Sequence, residues 1–280
     1  MIRSPKTAET HRVAARLAAA GLALALAGCA AFRGAPEPAP VPEAEPVPIA
    51  AGDPILATLV EGWAGVVDSR RSLRGGVVLM LSGPEGERRL SQNVVLARPD
   101  RIRMEIQAFL TTAAVLVANG TEYDYFESLG RYRERGPVYP HLLWQIAGVP
   151  LTLGQAVSFL LGGPPARPGL VPGGGMREAD GSLRVDLQDA RGRRVRSLRF
   201  APEGLLIHVE EWGPDDQLRW AVGYDRYRDV GGEPFAHAIE FDFPRYESRA
   251  TIAFRTVVLN PETPPATFEL GLPDEEGGAE

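Results

Sequence analysis

The sequence predicts a mainly β protein with helices (α+β), in which an antiparallel sheet of about eleven strands curves around a concave side covered by helices. Three observations predict it. Apolar and polar residues alternate with period two in many short runs, as where Ile102, Met104 and Ile106 interleave with Arg101, Arg103 and Glu105. Turn signals such as Gly83-Pro84-Glu85-Gly86 separate those runs. Three stretches break the alternation with helical spacing and apolar faces. A sheet this long curls, leaving room on its concave side for either a packed core or a cavity.

The first helix is predicted over "DPILATLVEGWAGVVDSRRS". Asp53 is placed to cap it and Pro54 to occupy its first position, where a missing N–H costs nothing, and Ile55, Leu59, Trp63, Val66 and Val67 fall at helical spacing. Two apolar runs in 76–99 then flank the Gly83–Gly86 turn. Further strands are predicted at "TAAVLVAN", "EYDYFES", "RYRERG", "SLRVDLQD", "RVRSLRFA", "LLIHVEEW", "QLRWAVGYDRY", "AHAIEFDF" and "ATIAFRTVVL". "PHLLWQIAG" (140–148) reads as a short apolar helix. "TLGQAVSFLLGG" (152–163) reads as another, opened by a Thr152/Gln155 capping box and stopped by paired glycines. The Gly/Pro-rich stretch between Gly162 and Gly175, with "VPGGGM" (171–176), reads as a loop.

The N-terminus has a different character. Arg3, Lys6, Arg12 and Arg16 precede the apolar run "LAAAGLALALAG" (17–28), which at twelve residues is short of the ~20 that span a bilayer. Residues 1–28 therefore read as a signal peptide. Leu26-Ala27-Gly28-Cys29 resembles a bacterial lipobox, cut before the cysteine and lipidated on its sulfur. Cys29 is the single cysteine of the chain, so no internal disulfide can form and its use is the lipid: a diacylglycerol and an N-acyl group, with no other cofactor expected. From residue 29 to 52 the chain reads as a proline-rich spacer, extended and solvated. The folded domain is expected over 53–262, and 263–280 as a flexible acidic tail.

With 280 residues, 44% of them hydrophobic, the chain can bury a sizeable core. Without residues 1–28 it keeps 26 Lys+Arg against 35 Asp+Glu, and those 26 are all arginine, because Lys6 is the sole lysine of the full sequence. An acidic protein with no lysine-rich patch is not built for nucleic acid, and lysine-based catalysis is excluded. Other enzyme chemistry fares little better. His141, His208 and His237 lack metal-ligand spacing, so no metal site is expected, and no G-x-S-x-G elbow, P-loop or dinucleotide fingerprint occurs. Glu210-Glu211 and Asp215-Asp216 could supply an acid/base pair, but the second sits in the turn-like "WGPDDQL". The chain reads as a non-enzyme.

A lipobox, a proline-rich spacer, an N-terminal helix and a large antiparallel sheet with two mid-chain helices together resemble the outer-membrane lipoprotein receptor LolB, of the LolA/LolB lipoprotein-carrier superfamily. "RIRMEIQAFLTTAAVLV" resembles the family's strand, tip and strand, and "AGVPLTLGQAVSFLLGGPP" (147–165) its G-x-P-[IL]-P-L segment and following helix. The last strands also follow in the family's order. The resemblance implies a half-open β-barrel of about eleven strands with an α-helical lid. It further implies a monomer anchored to the outer membrane and facing the periplasm. Such a receptor accepts the acyl chains of a lipoprotein from a periplasmic LolA-type carrier into an apolar cavity, and releases them into the inner leaflet. Ala30 is not the aspartate that retains lipoproteins in the inner membrane of enterobacteria. The family's tip commonly reads Pro-Leu-Gly where this chain has Phe109-Leu110-Thr111.

On this register Leu110 matches the family's protruding leucine, and Phe109 enlarges an apolar tip that would contact bilayer or cargo. Exposing each side chain to water forgoes about 1.5–3 kcal/mol, which such contact would restore. The alternative is that both fold under a neighbouring strand. Side-chain parity on strands and helices nominates Trp63, Val67, Met104, Ile106, Val115, Val117, Trp144, Phe159 and Trp220 as the lining of the acyl-chain cavity. Two other functions fit the same fold: an envelope lipoprotein that binds free lipid or glycolipid, and a structural lipoprotein with a filled core.

Overall fold

The computed structural model describes residues 45–108 and 111–270. The signal segment, Cys29, most of the spacer, Phe109, Leu110 and residues 271–280 lie outside the described residues.

One fourteen-stranded antiparallel sheet organises the molecule. Its first meander is β2 (Ser72–Gly83), β3 (Gly86–Ala97), β4 (Arg101–Ala108), β5 (Thr111–Ala118), β6 (Glu122–Glu127) and β7 (Tyr132–Pro137). Its second is β8 (Val171–Arg177), β9 (Leu183–Gln188), β10 (Arg194–Phe200), β11 (Leu206–Trp212), β12 (Leu218–Val230), β13 (Glu233–Phe243) and β14 (Ser248–Leu259). β14 returns to pair with β2 through Ile252↔Leu79 and Ala250↔Leu81, joining the two meanders. β1 (Val47–Ile49) and β7 form the two edges, which do not pair with each other. The barrel is therefore half-open.

The sheet exceeds the expected eleven strands partly through segments whose composition reads as linker. The end of the proline-rich spacer supplies β1, which pairs with β8, and β8 lies where a loop is expected. Its glycines explain why. A Cβ at Gly175 would stand 2.5 Å from the Arg184 carbonyl oxygen and 2.7 Å from Leu56 Cδ2, so this strand lets a helix approach closer than a side-chain-bearing strand could. The packed region also passes residue 262, because the 3₁₀ turn Pro265–Phe268 buries Phe268 beneath the Arg101 guanidinium.

Three helices occupy the concave side. α1 (Pro54–Ser69) begins as the sequence predicts, with the Asp53 carboxylate accepting from the Ile55 N–H. At its other end the Arg98 guanidinium donates to the carbonyls of Val67 and Arg70, supplying the cation that the helix's own last turn lacks. α2 (Leu142–Ala147) is short, has no side-chain cap at His141 and ends on left-handed Gly148. α3 (Leu153–Leu160) carries the reciprocal Thr152/Gln155 capping box.

Two buried arginines tie the chain after α3 to the sheet. Arg70 donates to the carbonyls of Leu161 and Pro234 and to Glu233, with its guanidinium over the Trp63 and Phe235 rings. Burial pushes this guanidinium below its ordinary value, against the opposing pull of Glu233. Gly162 (φ 102°) makes the close approach possible, since a Cβ there would fall 2.3 Å from Arg70 Nη1. Arg196 makes a two-pronged bond to Glu211 and donates to the Pro165 carbonyl, while Arg167 takes the other Glu211 oxygen.

Candidate functional site

The concave side is half filled and half hollow. In the filled half, Phe159 of α3 wedges edge-on between Trp220 of β12 (4.9 Å) and Phe241 of β13 (5.5 Å), and Trp63 of α1 meets Tyr227 edge-on. The hollow half is a cavity of about 120 Å³ under α2 and one face of α3. Its floor comes from β2 to β6, β13 and β14, with Leu79, Leu90, Met104, Leu116 and Ile252 among its walls. Its roof comes from Leu143, Ile146, Val149, Leu151, Ala156 and Leu160. Alternation positions the floor: Val94, Met104 and Leu116 are consecutive cross-strand partners, so they share the inner face.

Of the nine residues nominated as lining, Met104 and Ile106 border the cavity. Trp63, Val67, Phe159 and Trp220 are buried in the filled half. Val115 and Val117 belong to the opposite face, because their cross-strand partners are Glu105 and Arg103, whereas Leu116 and Ala114 pair with Met104 and Ile106. A one-residue difference in parity reverses the face, and β5 is apolar on both, so its composition does not reveal the choice. Val117 is nonetheless buried, outside the main core cluster. Trp144 points outward, 43% exposed, and meets Tyr246 at 5.0 Å. On β3 the walls Leu90 and Val94 alternate with Ser91 and Asn93, a signal available in the sequence, whereas β2 is apolar on both faces over Val77–Leu81. The roof was not legible, because only packing decides which side of a six-residue apolar helix faces inward.

The cavity opens toward a surface groove at the end of the barrel that carries the β2–β3 turn. Leu81, Arg88, Ile146 and Ala147 border both spaces, and Trp144, Tyr246 and Arg249 line the groove. The Ala108↔Thr111 pair, where β4 ends and β5 begins, lies at the same end, but Phe109 and Leu110 fall outside the described residues.

The residues weighed for catalysis are dispersed. Glu211 is engaged by Arg196 and Arg167, Glu210 lies beside His208, and Asp215 pairs with Arg245 across two turns. His237 is buried, its Nδ1 3.1 Å from the Phe235 carbonyl, and His141 sits at the start of α2. Among the described residues no three His, Cys, Asp or Glu side chains converge as a metal site, and no helix is long and apolar enough to cross a membrane.

No known family profile matches the chain, and no curated protein is similar to it in sequence. Solved structures are similar in fold. A LolA superfamily protein from Nitrosomonas europaea superposes with a TM-score of 0.52 at 12% identity, over 77% of this chain and 97% of that one. A domain described as outer membrane lipoprotein-sorting, from Vibrio parahaemolyticus, gives 0.50 at 8% identity over 76% and 95%. The fold is LolA-like. A DUF1329 family protein from Desulfovibrio piger shares this LolA-like fold, with a TM-score of 0.54 at 8% identity over 79% and 98%. The likeness covers nearly the whole of each neighbour.

Proposed function

We propose that this chain is a lipid-anchored envelope protein that receives the acyl chains of a lipoprotein from a LolA-type carrier and delivers them to the inner leaflet of the outer membrane. The observation that supports it best is the apolar cavity beneath a short helix that has no side-chain cap. An acyl chain of a dozen methylenes represents on the order of 10 kcal/mol of burial at about 0.8 kcal/mol per CH₂, so passage through water is slow and a protein cavity removes the barrier. An engineered cavity of about 150 Å³ holds one benzene, so the closed space here admits a few carbons, and a whole chain enters only as the roof lifts. Release into bilayer is downhill and needs no covalent step.

The deciding experiment mixes residues 33–280 with a LolA-type carrier loaded with a triacylated lipoprotein and follows the cargo by size exclusion. Co-elution of cargo with this chain is the expected result; cargo that stays with the carrier under all conditions counts against a receptor. In the same assay with liposomes added, Leu110→Glu should leave the melting temperature unchanged and abolish delivery to lipid. A melting temperature lowered by several degrees would instead place Leu110 in the core.

A further inference from the structure

The inner face of β3 is not uniformly apolar. It reads Arg88, Leu90, Gln92, Val94, Leu96, residues that alternate onto the cavity side with Leu81, Leu79 and Val77 of β2 opposite the first three. Gln92 stands in the middle of the hollow half, between Val77 and Ile106, and is 6% exposed. Among the described residues its side-chain amide has no hydrogen-bond partner. The amide is not sealed within the packed wall but faces the hollow, so up to four hydrogen-bonding positions are open there to a bound group. Water alone is a poor occupant, because a buried water requires two to four polar partners. Among the described residues, only Arg88 and Tyr125 besides Gln92 bring polar side chains to this cavity. Arg88 stands four residues nearer the mouth, about 13 Å along the strand, and borders both cavity and groove. Its partner is Glu85, in an exposed i,i+3 pair that holds the guanidinium only weakly.

We propose that Gln92 and Arg88 form a two-point polar site within the acyl-chain cavity. The Gln92 amide donates to the acyl carbonyl of a bound glycerolipid, and Arg88 engages the phosphate of its headgroup at the mouth. The inference rests only on the reading of the cavity as an acyl-chain site and goes beyond lipoprotein cargo, whose lipid carries ester carbonyls but no phosphate: it adds an anionic glycerophospholipid as a second client of the cavity. The chain then runs inward from Gln92 toward Val94, Ile102 and Leu151.

The test uses the full chain carrying Cys29→Ser and measures binding by titration calorimetry of three probes: 1-lauroyl lysophosphatidylglycerol, its 1-O-dodecyl ether analogue, and 1-lauroyl glycerol. Losing one hydrogen bond corresponds to roughly a 3- to 10-fold change in affinity. The ester should bind tighter than the ether by that factor. Gln92→Leu should erase the difference by weakening the ester alone, with no loss of melting temperature, because an unpaired amide is replaced by an apolar group. Arg88→Gln should weaken lysophosphatidylglycerol and leave lauroyl glycerol unchanged. Equal binding of ester and ether by the parent and by Gln92→Leu would overturn the carbonyl contact while leaving the acyl-chain cavity standing. Equal effects of Arg88→Gln on both glycerol probes would overturn the phosphate contact. Absence of binding by all three would overturn the cavity reading and this site with it.

Discussion

Arg196 and Glu211 show what a buried charge does in this molecule. Both are nearly fully buried, on neighbouring strands, and their two-pronged bond satisfies groups with little access to water. The pair sets the position of the chain after α3 through the Pro165 carbonyl. Its net worth over an apolar pair is small, but removing one partner strands the other. Glu211→Leu should therefore destabilise the fold by about 3–5 kcal/mol in urea denaturation, and adding Arg196→Met should recover most of that loss. A double variant no more stable than Glu211→Leu would mean that the Pro165 contact, not the ion pair, carries the effect. Tyr224 is a different case: its hydroxyl is buried without a partner among the described residues, and burial pushes it well above its ordinary value, so it stays protonated.

At the scale of elements, the two roof helices differ in how they are held. α3 has a reciprocal capping box, a phenylalanine wedged between two strands, and chain beyond it tied down by Arg70 and Arg196. α2 has no side-chain cap and six residues, and its outward contact is Trp144 against Tyr246. Short helices are marginal without such support. On the proposed function α2 is the part of the roof expected to lift, with α3 as its fixed side. Native-state hydrogen exchange should show amides of 142–148 opening at least about tenfold faster than those of 156–161, and bound lipid should slow the former selectively. Equal protection of the two helices in the absence of lipid would contradict this division.

For the whole molecule, the sequence by itself determined the class of fold and much of its local grammar. Period-two alternation marked the strands, and Asp53, Pro54 and the Thr152/Gln155 box set where two helices begin. These are short-range signals, fixed by dihedral preference and by caps within a few residues. Tertiary structure decided which apolar face looks into the cavity. On β5 both faces are apolar, and only pairing of Leu116 with Met104 places it inside and Val115 out. The same holds for Phe159 and Trp220, apolar at the expected periods yet used to fill one half of the concavity instead of lining the other. It also decided that the glycine-rich stretch at Val171–Arg177 is a strand, because the approach of α1 rewards missing side chains there. The orphaned amide of Gln92 belongs to this second kind of fact. Alternation could put Gln92 on a face, but its lack of a partner depends on β14 closing onto β2 and on helices laid over the resulting hollow, contacts made between residues far apart in the chain.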